Sequence, residues 1–101
     1  MAGQVRERDI EARLRDGVKK LGGIAYKFVS PGNAGVPDRL VLLPGGKVAF
    51  VELKAPGGKS TALQTAQQKR IAGLGFLVKV VSDYQQVDDL LGGFTKGEMQ
   101  E

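Results

Sequence analysis

The sequence contains no cysteine and no histidine. Every metal site built on thiolate or imidazole is thereby excluded, and so are Cys and His nucleophiles and His as a general base. The ligands left are carboxylates, backbone carbonyls and water, a set that suits a hard ion such as Mg²⁺ or Mn²⁺. No apolar run approaches the ~20 residues needed to cross a bilayer, and the charged start MAGQVRERD lacks the apolar segment of a signal peptide. The expectation is a soluble protein of the cytoplasm, with no membrane partner.

What is present fits a single domain: 101 residues, 42% of them hydrophobic, enough for a modest core. The net charge of +4 is unevenly spread. Residues 1–82 carry 14 basic against 6 acidic side chains, whereas Asp83, Asp88, Asp89, Glu98 and Glu101 make the C-terminal part acidic. A basic body of this size suits a polyanionic partner such as nucleic acid.

Residues 5–21 predict a helix, because Val5, Ile10, Leu14, Val18 and Leu21 form one apolar stripe and Gly22-Gly23 stops it. Glu11 falls on the border of that stripe, one turn from both Arg8 and Arg15, either of which offers an ion pair. Ile24–Val29 reads as a short strand holding Lys27, and SPGNAGVP (30–37) as a loop of turn formers. Arg39–Leu43 and Lys47–Leu53 predict a hairpin across Pro44-Gly45-Gly46. APGGK (55–59) leads into a helix over 60–74 with Leu63, Ile71 and Leu74 inward. On that helix Gln67 lies within the apolar face and Gln64 near its edge, where it can also form a capping box with Thr61. The GKS at 58–60 is not a P-loop, since the required first glycine falls on Leu53. FLVKVV (76–81) predicts a buried strand parallel to the previous one, with a right-handed crossover. A last helix capped by Ser82 is expected to end near Leu91, leaving a flexible tail over about 93–101. The expected fold is α/β, a mixed sheet flanked by helices in the order αβββαβα.

The chemistry concentrates in VPDRLVLLPGGKVAFVELK (36–54). A three-residue turn sets Leu43 opposite Lys47 and carries Asp38 opposite Glu52, whereas a two-residue turn shifts the partner to Leu53, a neighbouring position. Strand alternation places Glu52 and Lys54 on the face of Val48 and Phe50, where ionised groups need partners or a cleft. Two carboxylates brought together repel, and a divalent cation relieves that repulsion. A lysine beside it can orient the attacking water and steady charge on a phosphate. The plainer alternative is a Glu52–Lys54 ion pair at a sheet edge.

GVPDR (35–39), VELK (51–54) and the helix with STALQ (60–64) resemble the PD-(D/E)xK nuclease superfamily, and within it the virus-type replication-repair nuclease (VRR-NUC) domain. The likeness runs from DIE (9–11) to VVSD (80–83). It implies a restriction-endonuclease-like core and a Mg²⁺- or Mn²⁺-dependent endodeoxyribonuclease. Asp38 and Glu52 match the metal-binding carboxylates, with the Leu53 carbonyl as a third ligand, and Lys54 matches the catalytic lysine. Glu11 matches an acid that the first helix turns toward the metal, directly or through water. Gln64 matches the motif glutamine, with Gln67 as its rival. Lys27, Ser30, Asn33, Arg39 and Lys59 are the expected nucleic-acid contacts. Stand-alone proteins of this type, from phage and bacterial cells, imply a homodimer acting on branched DNA such as Holliday junctions in DNA repair. The rival readings are a non-catalytic basic nucleic-acid-binding module and an RNA-directed nuclease.

Overall fold

The computed structural model describes residues 4–95. Helix α1 (Glu7–Lys20) precedes strands β1 (Ile24–Lys27), β2 (Arg39–Leu43) and β3 (Lys47–Leu53); helix α2 (Ala62–Gly73), strand β4 (Leu77–Val81) and helix α3 (Tyr84–Thr95) follow. The order is the αβββαβα arrangement expected from the sequence. The strands form one sheet, β1-β2-β3-β4, antiparallel except for the β3–β4 pair, which α2 connects in parallel. No helix among the described residues is long and apolar enough to cross a membrane.

The hairpin sets the geometry of everything that follows. Gly45 and Gly46 have φ of 85° and 77°, a region costly to any residue with a Cβ, and so make the tight return after Pro44. Leu43 then pairs with Lys47 and Arg39 with Val51. One further step along this register brings Asp38 opposite Glu52, as a three-residue turn requires.

Alternation along the strands divides the sheet into two unlike faces. Val41 and Leu43, Ala49, Val51 and Leu53, and Val81 are buried on one face. Over them lie Ile10, Leu14 and Val18 from α1 and Val87, Leu90 and Phe94 from α3. Each large aliphatic side chain fully removed from water there contributes ~1.5–3 kcal/mol. Gly17 lets the two helices approach, because a Cβ at that position would collide with Leu91. Arg13 fastens the same pair from outside, donating from Nε and Nη2 to Asp88 at 2.8 and 2.9 Å and lying over the Tyr84 ring.

Four sequence expectations are corrected. The last helix does not end at Leu91. It continues to Thr95 with Gly93 and Phe94 buried, because seating Phe94 in the core outweighs the ~1 kcal/mol helical penalty of each glycine. Its N-terminal side-chain cap is Asp83, which accepts from Gln86 N, and not Ser82. The rest of the expected tail, residues 96–101, lies outside the described residues. Third, Leu63 and Leu74, expected inside, are 53% and 74% exposed, and α2 has no buried residue. The helix leans on β4. Fourth, β4 is an edge strand instead of the buried strand expected over 76–81, with Phe76 47% and Val80 38% exposed, because no described strand pairs with its outer side.

Candidate active site

Asp38 ends the loop before β2, and its backbone carbonyl accepts from Phe28 N at 2.8 Å. Its side chain turns to the neighbouring strand, where Oδ2 accepts from Leu53 N, also at 2.8 Å. The carboxylate is therefore tied to the backbone of the VELK segment. Lys54 N donates to Val81 O at 3.0 Å, so β3 keeps its extended course past its last paired residue. That course leaves Glu52 and Lys54 on one face, the one opposite the α1–α3 core.

Glu52 is 1% exposed, an unusual environment for a carboxylate. Its Oε2 accepts from Gln64 Nε2 at 2.9 Å and lies 3.6 Å from Lys54 Nζ. Its Oε1 is buried and, with the carboxylate ionised, has no hydrogen-bond partner; only a protonated Glu52 can donate to Asp38. Burial, and then the charge of Asp38, push the Glu52 carboxyl up to about 7 against the opposing pull of Lys54. An unsatisfied buried oxygen costs the fold free energy, so this position is built for something other than stability.

Gln64 organises the charges. Its Oε1 accepts from Lys54 Nζ at 2.8 Å and from Thr61 N at 2.9 Å, while Thr61 Oγ1 accepts from Gln64 N at 3.1 Å. The expected capping box with Thr61 is present, and the same side chain bridges Lys54 and Glu52. The amide has a fixed sense: its oxygen serves the ammonium and its NH₂ serves the carboxylate. Gln67, the rival, points elsewhere; its Nε2 donates to Ala34 O at 3.3 Å and holds the 30–37 loop against α2.

Two expected site residues are placed against each other, for one reason. Arg39 is 6% exposed and cannot meet nucleic acid. Glu11 is not turned toward Asp38 and Glu52. Arg39 Nε and Nη2 instead donate to Glu11 Oε2 at 2.9 and 2.7 Å, and Nη1 donates to Ala25 O at 2.7 Å. A buried guanidinium requires a counter-charge, and the carboxylate on the border of α1 supplies it. Among the described residues no group of three acidic side chains is close enough to hold a metal ion. The signal was in the spacing: Arg39 is two residues before Val41 and so shares the buried face. Of the other expected nucleic-acid contacts, Lys27 and Lys59 are exposed, and Asn33 Nδ2 donates to Ser30 Oγ at 2.9 Å within the loop.

The donor set fits a hard divalent cation on two observations. Glu52 Oε1 lacks a partner, and Asp38 sits close enough to raise the proton affinity of Glu52. A cation between the two would satisfy the oxygen and cancel the repulsion, with the backbone carbonyl of Leu53 between them in sequence as a further donor.

No family model matches the sequence. The p44 protein of Acyrthosiphon pisum secondary endosymbiont phage 1, a nuclease by name, is 54% identical over 87 residues, covering 86% of this chain and 92% of that protein. Among solved structures, a VRR-NUC domain superposes with a TM-score of 0.82 at 32% identity, over 87% of this chain and 96% of that one.

Proposed function

The chain belongs to the VRR-NUC nucleases, and we propose that it is a Mg²⁺- or Mn²⁺-dependent endonuclease that hydrolyses phosphodiester bonds in branched DNA such as Holliday junctions, as a homodimer serving DNA repair. The observation that carries this reading is the buried, partnerless Glu52 oxygen beside Asp38, with the Lys54 ammonium held by the same glutamine that binds Glu52. Asp38, Glu52 and the Leu53 carbonyl would hold the cation, which when bound supplies Lewis-acid polarisation of the phosphate and a more acidic water.

The chain's own residues prepare the rest. Gln64 keeps Lys54 from collapsing into a close ion pair with Glu52: the two stand 3.6 Å apart while each is within 2.9 Å of the amide. Lys54 therefore retains donors to orient the attacking water and to offset charge building on the phosphate. Exposed Lys59, in the loop that follows Lys54, extends the positive field toward the phosphate backbone, whereas Lys27 shares the strand face of Arg39. In a homodimer, two such sites would act on one branched substrate, which accounts for paired nicks by symmetry.

The test is cleavage of junction, flap, splayed and linear duplex DNA, and matched RNA, with and without Mg²⁺. Junction cutting that requires Mg²⁺ is expected. Lys54→Ala should lower it by about 10²-fold, the scale seen when one preorganised charge-stabilising donor is lost, with DNA binding retained. A protein that shifts DNA and leaves it intact under all conditions is a binding module, and cleavage by Lys54→Ala at the unmodified rate would remove the lysine from the mechanism.

A further inference from the structure

Helix α2 gives the core no buried residue, and its glutamines hold loops instead. Gln67 Nε2 donates to Ala34 O at 3.3 Å, and Gln68 Nε2 donates to Ser60 Oγ at 2.9 Å. The helix thereby braces both the 30–37 loop and the segment 55–60. Both segments also reach the site. A Cβ on Gly35 would stand 2.9 Å from Cγ of Leu63, the residue before Gln64, and one on Gly58 would stand 3.4 Å from Lys54 Cβ.

The two braced segments carry the same device. Asn33 N donates to Ser30 O at 2.9 Å across Pro31-Gly32, and Gly58 N donates to Ala55 O at 2.8 Å across Pro56-Gly57. Gly32 and Gly57 have φ of 82° and 83°. Proline second and a positive-φ glycine third is the pattern of a type II turn. The closing bond uses the N–H of the fourth residue, and neither Gly32 N nor Gly57 N donates to any group among the described residues. Packing does not account for these glycines, since a Cβ on either would meet nothing within 4 Å. Two exposed glycines with free N–H groups thus stand on the segments that lead into Asp38 and out of Lys54.

The distribution of charge selects what those donors meet. Residues 1–82 hold six acids: Asp38 and Glu52 in the site, and Glu7, Asp9, Glu11 and Asp16 on α1. Helix α1 therefore sets five bases against four acids and offers little net field. Residues 53–82 carry Lys54, Lys59, Lys69, Arg70 and Lys79 and no acid. Lys59 follows the second turn, Arg70 lies one turn of helix beyond Gln67, and both are exposed. An uncompensated positive segment with free backbone donors suits a phosphate chain, which cations and N–H groups bind without reading bases.

We infer that the DNA strand being cut lies with its phosphate backbone across the two Pro-Gly turns and along α2, where the N–H groups of Gly32 and Gly57 and the cations of Lys59 and Arg70 hold phosphates flanking the one at Glu52 and Lys54. The inference deepens the nuclease reading and rests on it only for which strand is seated. It sets α1 apart from the binding surface in spite of that helix's arginines and lysines. Contacts of this kind fix affinity and register and confer no base preference.

The experiment measures binding of the full chain to a fluorescein-labelled four-way junction by anisotropy, in EDTA so that nothing is cut, over ~50–200 mM KCl. Lys59→Ala/Arg70→Ala, at two exposed positions, should keep its circular dichroism. It should flatten the dependence of log affinity on log salt by ~0.9 for each cation removed and weaken binding ~10-fold. Arg15→Ala/Lys19→Ala, which removes the same charge from exposed positions on α1, should bind within ~2-fold of the unmodified protein. Gly32→Ala/Gly57→Ala should weaken binding at least ~10-fold, because a Cβ crowds the approach to each N–H and costs its charge-assisted bond. Gly45→Ala/Gly46→Ala is the matched control. It places Cβ atoms at similar positive φ in the β2–β3 turn, with no neighbour nearer than 4.0 Å, and should bind like the unmodified protein. An unchanged salt slope for the Lys59/Arg70 variant, or an equal loss for the α1 variant, would overturn the surface. Glycine variants at 32 and 57 that bind no worse than the hairpin control would remove the turns from it. If binding behaves as stated and no form cuts DNA with Mg²⁺, the inference stands and the nuclease reading falls; if DNA is cut and binding ignores these residues, the reverse holds.

Discussion

Glu52→Gln is expected to abolish cleavage, by ~10³-fold or more, and at the same time to stabilise the metal-free protein at alkaline pH. Both effects come from one buried carboxylate. Burial and the neighbouring Asp38 push its pKa up to about 7, well above the 4.5 it has when exposed. Between those values the folded chain binds a proton that the unfolded chain releases, so stability falls as pH rises through this window. Glu52's favourable contribution is complete below about 4.5 and is lost as pH passes about 7. Above that, the metal-free fold must hold an ionised group with one unsatisfied oxygen. Glutamine removes the charge, keeps an oxygen for Gln64 Nε2, and turns an NH₂ toward the side occupied by the Asp38 carboxylate.

At pH 8 the variant should therefore melt several degrees higher than the unmodified protein, equivalent to ~1–2 kcal/mol in a domain of this size. The difference should shrink as pH is lowered toward 5. Added Mg²⁺ should reverse the order, because a ligand that binds only the folded state stabilises it, and the Glu52→Gln side chain offers no charge to hold one. For the same reason Mg²⁺ affinity of the unmodified protein should weaken below pH 7, where a proton competes for Glu52. Thermal melts across pH 5–8.5 with and without Mg²⁺ check all three statements. A melting difference independent of pH would mean that Glu52 is not the group that titrates.

What the sequence disclosed about this site follows from how local the governing forces are. The Pro44-Gly45-Gly46 turn fixes the register, and the register places Asp38 opposite Glu52, so half of the site was legible from a turn length and strand alternation. Gln64 was legible because its two roles need only the spacing to Thr61 and the helix that follows Lys54. Three features were not legible. A helical wheel says which residues of α2 share a face, yet not whether anything covers that face, and Leu63 and Leu74 remain in solvent. The glycines at 92 and 93 resemble a helix stop, whereas the long-range burial of Phe94 carries α3 through them. The Arg39–Glu11 pair joins residues 28 apart from different elements, and only the packing of α1 over the sheet brings them together.

That pair yields the second large effect. Glu11→Leu leaves the Arg39 guanidinium buried without its counter-charge, which should cost ~3–5 kcal/mol. Arg39→Met also gives up the bond to the Ala25 carbonyl. Because Phe28 N bonds Asp38 O, the hydrogen-bonded rungs of this ladder fall at Phe28, Tyr26 and Ile24, and the Ala25 carbonyl faces the outer edge of β1, where water can replace the arginine. The double variant should therefore recover much of the loss, with a coupling of ~2–3 kcal/mol in denaturant melts. Arg39 follows Asp38 directly, so the clamp also steadies the backbone that presents the Asp38 carboxylate. The same variants separate two roles for Glu11. If it acts through Arg39, the double variant should bind Mg²⁺ within a few-fold of the unmodified protein once it is folded, and cleave DNA. If Glu11 belongs to the metal's own surroundings, relieving Arg39 cannot restore affinity, and calorimetric titration of the folded double variant would show Mg²⁺ binding still lost.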